Sequence, residues 1–214
     1  MTTEDFKVTK RSYFPTIVFQ IDLPAPEALN ARLLDLIYTE QERDQKGIAR
    51  SNIPALGGWH SHTDLHKSSD FAEVTALIHA ATARLSDDQG YNDRYAMKIG
   101  TMWSIINPPG SQNRAHVHPG CLWSGVYYIQ APDGSGDIEF FEPRTAHLMN
   151  QPRYRPNAKR ARENWTKARF SPVPGRMIIF PSWLYHAVDT NMAGAAGRDG
   201  HRVIISFNIN QVRV

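Results

Sequence analysis

Apolar and polar positions alternate differently in the two halves of this chain. The first half holds two helical patterns. Between residues 26 and 45, Leu29, Leu33, Leu36 and Ile37 recur at the spacing of one helix face, behind a Pro26 that suits a first turn. Over 69–86, Phe71, Val74, Leu77, Ile78 and Leu85 make a second apolar stripe, with Ser69 and Asp70 as candidate caps. Both stripes predict helices packed on the outside of a sheet, with His79 an ordinary boundary residue of the second. Ahead of them, 13–23 reads as a strand with Pro15 at its start or at a sheet edge. The stretch 46–68 shows neither period and reads as irregular.

From residue 95 the pattern changes to short β-branched and aromatic runs between Gly and Pro turns. Strands are expected over 95–107, 121–130, 137–142, 176–181, 182–188 and 201–210. Pro108-Pro109-Gly110, Pro132 to Gly136 and Val173-Pro174-Gly175 supply turns. The fold class expected is mostly β with supporting helices, a barrel or sandwich buttressed by the first half. One domain is the default for 214 residues: 1–94 as a strand and supporting helices, 95–214 as the β core.

Composition changes this picture in two places. Hydrophobic residues at 41% and charged residues at 21% suit a globular protein, and the single Cys121 excludes an internal disulfide framework. No run approaches the roughly 18 apolar residues of a membrane helix, and the N-terminus lacks the pattern of a signal peptide. The cytoplasm is therefore the default location, with no membrane contact expected. Charge is uneven. Segment 143–170 has eight basic residues and only Glu163 as an acid, so it carries +7 and leaves −4 on the rest of a chain whose total is +3. An irregular connection of that length is usually functional or mobile. It is also the one stretch suited to nucleic acid or an acidic protein, with Tyr154 and Trp165 interleaved for stacking.

The chemistry centres on Asn113-Arg-Ala-His116-Val-His118-Pro-Gly120. On an extended segment, residues two apart face the same way, so both imidazoles can reach one metal ion. His186, far along the chain, supplies a third nitrogen, and three protein ligands leave positions open for catalysis. On the last strand Arg202, Ile204, Ser206 and Asn208 share one face, and Ile205, Phe207 and Ile209 the other. An inward arginine needs an anion, and a carboxylate is its natural partner. Tyr128 shares a face with Ser124 and Val126 and can donate to that anion. Gly57-Gly58-Trp59-His60-Ser61-His62 reads as a turn facing the site, with Trp59 as an apolar wall and His60 and His62 as reserve ligands.

From about 95 to 210 the chain resembles the 2-oxoglutarate- and Fe(II)-dependent oxygenases, in particular the prolyl-hydroxylase-like branch and a group of uncharacterised members. His116-Val-His118, Ser124 to Ile129, Gly175 to Pro181, His186-Ala-Val188 and Arg202 to Asn208 carry the resemblance, and Gly57 to Ser61 adds to it. It implies a double-stranded β-helix, or jelly roll, with the cupin-like barrel shape. His116, His118 and His186 would hold Fe(II). Arg202 would grip 2-oxoglutarate, with Tyr128 and Ser206 assisting. Molecular oxygen and decarboxylation to succinate would drive oxidation of a C–H bond in a small-molecule or peptide substrate. The chain departs from the family at one ligand, where His118 stands in place of an acid. Either His118 ligates directly, or Asp137 or Glu139 supplies the ligand instead. Two further readings stay open: a cupin-like metalloenzyme that does not use 2-oxoglutarate, and a binding module acting through 143–170.

Overall fold

In the computed structural model, which describes residues 7–214, the alternating runs of the second half pair into two antiparallel sheets. The larger sheet runs β1 (Phe19–Asp22), β8 (Arg176–Pro181), β5 (Trp123–Gln130), β10 (Arg202–Arg213), β3 (Tyr95–Asn107), β2 (Trp59–His60). The smaller runs β4 (Asn113–His116), β9 (His186–Val188), β6 (Ile138–Phe141), β7 (Lys167–Phe170). Two helices, α1 (Glu27–Arg43) and α3 (Ala72–Asp88), match the two apolar stripes; α2 (Gly47–Arg50) and α4 (Thr145–Met149) are single turns. This is the mostly β, helix-buttressed double-stranded β-helix expected. None of the described helices is long and apolar enough to cross a membrane.

The period of two on β10 divides the interior. Val203, Ile205, Phe207 and Ile209 are fully buried on the helix side, against Leu33, Ile37, Val74 and Ile78 of α1 and α3. Burying each such side chain contributes roughly 1.5–3 kcal/mol. Tyr127 of β5 adds a directional tie, donating to Asn30 Oδ1 of α1 at 2.6 Å. Ile204 faces the other way, into an inter-sheet core of Trp103, Val126, Tyr128, Ile138 and Phe180. Gly125 of β5 is the register partner of Phe207, and the ring occupies the space a Cβ would need, 2.2 Å away.

Several expectations change. The first strand shortens to Phe19–Asp22. The cap before α3 comes from Ser68, whose hydroxyl accepts from Asp70 N at the head of a 3₁₀ turn. Within 46–68, Trp59 and His60 form a strand on the edge of the larger sheet, paired with Ile106 and Ile105. Trp59 is not a wall of the site: it is buried in the helix-side core and donates to Asp44 O at 2.9 Å. Segment 143–170 is not wholly irregular either. Its last four residues are β7, paired along β6, and α4 lies near its start.

Candidate metal centre and cavity

His116 ends β4, His186 begins β9, and the two are register partners, with ring centroids 4.3 Å apart. His118 lies two residues past β4, outside the extended segment. Its backbone N–H donates to Ser182 O at 2.9 Å, which holds it against the approach to β9. Its ring is 5.0 Å from that of His116 and 5.2 Å from that of His186. One nitrogen from each of the three lies within 4.8 Å of the others, and no carboxylate joins the cluster among the described residues.

Backbone carbonyls set the rings. His116 Nδ1 is 2.7 Å from Arg114 O and His186 Nδ1 is 2.9 Å from Leu184 O, so each Nδ1 bears the proton and each Nε2 keeps a lone pair. His118 Nδ1 has no protein partner of this kind among the described residues. Its Nε2 faces His186 Nε2 at 3.3 Å. Burial pushes His118 down to about 4 and His186 to about 3, with neighbouring imidazoles adding to the shift. Three imidazole nitrogens converging within 4.8 Å of one another fit a divalent metal ion. Glu139 does not belong to this group. It lies opposite the inward-facing Ile138 and Phe140 on β6 and pairs with Lys167 at 3.0 Å and with Arg169. Asp137 offers no ligand atom to the cluster. His62 is exposed and lies 3.6 Å from Asp44, away from the three rings.

A cavity of about 160 Å³ runs from these histidines between the sheets. Tyr128, Arg202 and Ser206 all line it, as the strand period predicts. Arg202 is 1% exposed. Its Nη1 donates to Ser135 O and, at 3.3 Å, to Asp189 O, while Nε and Nη2 are buried without a partner. Burial lowers its pKa to about 10, so it stays protonated at neutral pH. Two unpartnered donor nitrogens on a buried cation are a cradle for a carboxylate. Burial raises the Tyr128 phenol, with Arg202 opposing, so Tyr128 remains a donor beside the guanidinium. Ser206 pairs with Trp103. It lies four residues from Arg202, roughly 13 Å along the strand, so it belongs to a different layer of the cavity from the guanidinium.

His60, a reserve ligand on a segment expected to face the site, lines the cavity without joining the metal cluster; Trp103, Asn107 and Asn113 line it without having been anticipated. Trp103, Ile105 and Asn107 follow the period of two on β3, so a signal for two of them was present. His60 stacks on Trp103 with centroids 5.8 Å apart, and Trp103 sits 6.0 Å from His118. Beyond the cavity, Arg153, Arg155, Lys159, Arg160 and Arg162 are exposed and have no carboxylate partner among the described residues. Tyr154 is covered by Arg160, whose guanidinium lies 4.5 Å from the ring, so only Trp165 is free to stack.

The chain matches no curated protein. Among solved structures it is similar to a Pseudomonas putida prolyl-4-hydroxylase, 17% identical over 90% of this chain and 92% of that one, with a TM-score of 0.57. It is also similar to the viral collagen prolyl hydroxylase of Paramecium Bursaria Chlorella virus-1, 14% identical over 92% and 96%, TM-score 0.52. A prolyl hydroxylase of Trichoplax adhaerens, solved with a hypoxia inducible factor peptide fragment, is 14% identical over 90% and 83%, TM-score 0.57. At these identities the likeness is one of fold. Residues 101–208, just over half of the chain, match the family described as "Putative 2OG-Fe(II) oxygenase". That match spans both histidine segments and most of the Arg202 strand, and this chain belongs to the 2OG-Fe(II) oxygenase family.

Proposed function

We propose that this chain is a 2-oxoglutarate- and Fe(II)-dependent hydroxylase in which His116, His118 and His186 hold the metal. Arg202 and Tyr128 would hold the distal carboxylate of 2-oxoglutarate. One observation carries the reading: a single cavity joins three converging imidazoles to a buried arginine with two unpartnered nitrogens. The metal supplies the redox chemistry by which oxygen oxidises a C–H bond while 2-oxoglutarate is decarboxylated to succinate. The protein's residues do the rest. Arg202 neutralises and orients the co-substrate. Tyr128 donates to the same carboxylate. Val126, Ile138 and Phe180 keep water from the space between the sheets. Ser206, opposite Trp103 in the ladder, lines the same cavity. A cupin-like enzyme would account for the three histidines but not for the free guanidinium N–H groups of Arg202.

The substrate reading rests on the rim. Val117, Trp183 and Tyr185 are exposed beside the metal-facing histidines. Tyr185 packs on Phe141, 5.8 Å between centroids, and Lys167 sits over Phe141. The basic segment begins two residues after Phe141, which follows Phe140, the register partner of His186. An exposed apolar and cationic rim suits a peptide or an anionic small molecule approaching the metal. A steep loss of nucleic-acid affinity with salt would instead favour the binding-module reading.

The test is Fe(II)-dependent release of succinate from 2-oxoglutarate by the purified protein, with binding followed by calorimetry under anaerobic conditions. Arg202→Ala should weaken 2-oxoglutarate binding by more than tenfold, since removing one partner of a desolvated charge pair costs about 2–5 kcal/mol and each ~1.4 kcal/mol is a factor of ten. Metal affinity should survive. A wild-type protein that binds Fe(II) but shows no 2-oxoglutarate affinity would overturn the proposal.

A further inference from the structure

The inner face of β3 carries a polar group that the reading above does not use. Asn107 is the last residue of β3 and the register partner of Arg202 across the β3–β10 ladder. Residues directly opposite in an antiparallel pair project to the same side, with Cβ atoms about 4.5–5.5 Å apart. Asn107 lines the same cavity as Arg202, is 5% exposed, and its Nδ2 is buried with no hydrogen-bond partner. A buried amide N–H left unmade is costly, and native interiors rarely tolerate one without a reason. Here two nitrogens of Arg202 and the amide nitrogen of Asn107, on register partners, stand without partners.

Nothing in the fold requires an asparagine side chain at this position. The structural duty of the residue falls on its backbone: Asn107 O accepts from Asn191 Nδ2 at 2.9 Å, which ties β3 to the loop before β10. That bond is indifferent to the side chain. A purely structural residue in this layer would be apolar, like Ile105 one inward step away.

We infer that Asn107 Nδ2 is a third donor to the distal carboxylate of the co-substrate, working beside Arg202, and that it helps select a 2-oxo acid with a second carboxylate. This rests on the 2-oxoglutarate reading of the cavity. A carboxylate offers about four lone-pair sites, enough for two N–H groups from Arg202, one from Asn107 and the Tyr128 hydroxyl. Asn113 Oδ1, another unpartnered polar atom lining the cavity, is an acceptor and cannot serve the same anion in that orientation.

The test compares wild type, Asn107→Ala and Asn107→Asp, each loaded with Fe(II) under anaerobic conditions and titrated calorimetrically. The ligands are 2-oxoglutarate and, measured by displacement of it, 2-oxobutyrate, which has the same 2-oxo acid head but no distal carboxylate. Asn107→Ala should lose about tenfold to a hundredfold in 2-oxoglutarate affinity, the range for one hydrogen bond to a charged group. Its 2-oxobutyrate affinity should stay unchanged. Asn107→Asp should bind 2-oxoglutarate worse still, because it sets a carboxylate against a carboxylate. Equal losses for both ligands would place the effect outside the distal subsite and overturn the inference, as would unchanged 2-oxoglutarate affinity in Asn107→Ala. Absence of 2-oxoglutarate binding in wild type would strike instead at the reading of the whole cavity. Thermal melts of the metal-free variants guard against misfolding; if Asn107→Ala is unfolded, Asn107→Ser, which keeps a polar side chain too short to reach, takes its place with the same expected contrast.

Discussion

At the scale of single residues, the question with the sharpest chemical consequence is His118. The acid usual at this position would contribute a negative charge; His118 contributes none, which leaves a bound metal one unit more positive. His118→Asp should therefore retain Fe(II) and lower its reduction potential, because an anionic ligand favours the higher oxidation state. Redox titration of the loaded variant against wild type measures this, and an unchanged potential would remove His118 from the metal's surroundings. His186→Ala should abolish tight metal binding while the sheets persist, as iron titration and far-UV circular dichroism would read. Glu139→Ala should leave metal affinity untouched, since that carboxylate pairs with Lys167 and Arg169 on the far face of β6.

At the scale of elements, the pairing of β5 with β10 positions both halves of the cavity lining. Gly125 permits it. A methyl group there would meet Phe207 Cζ at 2.2 Å and Ile178 O at 3.0 Å. Phe207 is fully buried and cannot swing aside. Alanine would normally gain up to about 1 kcal/mol over glycine in a strand, but overpacking costs roughly 1–3 kcal/mol and outweighs it. Gly125→Ala should lower the melting temperature by several degrees and weaken 2-oxoglutarate binding as Tyr128 and Arg202 move apart. The basic segment is the other element with a stated role. Replacing Arg153, Arg155, Arg160 and Arg162 together with Gln should slow turnover of the true substrate, more at low salt than high. Substrate-free decarboxylation of 2-oxoglutarate should be spared. Equal loss of both would mark the segment as structural.

At the scale of the whole molecule, burial of neutral histidines makes stability depend on pH. His60, His66, His79, His118, His186 and His201 are all held below the ordinary value of 6.5, burial being the first cause in each. As pH falls through 6.5, the unfolded chain takes up protons that the folded chain refuses. Stability therefore drops with falling pH, from about 6.5 toward the depressed folded values near 4 for His118 and 3 for His186. The lowered carboxylates Asp22, Glu139 and Glu142 stabilise the fold above their ordinary value and add to the loss only as pH falls below it. Metal-free protein should thus lose melting temperature steadily between pH 6.5 and 5, a window the histidines dominate. A flat profile there would show that the imidazoles are already protonated in the fold.

The sequence by itself determined the faces. Helix stripes at Leu33, Ile37, Val74 and Ile78, and the two-residue alternation along Arg202 to Ile209, follow from local geometry that needs no partner. The His116-x-His118 spacing and the inward face of Arg202 were likewise legible as candidate chemistry. Only the tertiary structure decided which strands lie beside which. Trp59 and His60 form a strand too short to show a period, so their pairing with β3, and the turn of Trp59 toward the helices, came from register alone. His118 lies past the end of its strand, and its ring reaches the others because Ser182 O fixes its backbone. Glu139 was a candidate ligand until β7 placed two cations against it. Asn107 was an ordinary strand end until β10 set Arg202 opposite. Side-chain direction is a short-range property of the backbone, whereas pairing partners are chosen by burial and hydrogen bonding across the whole chain.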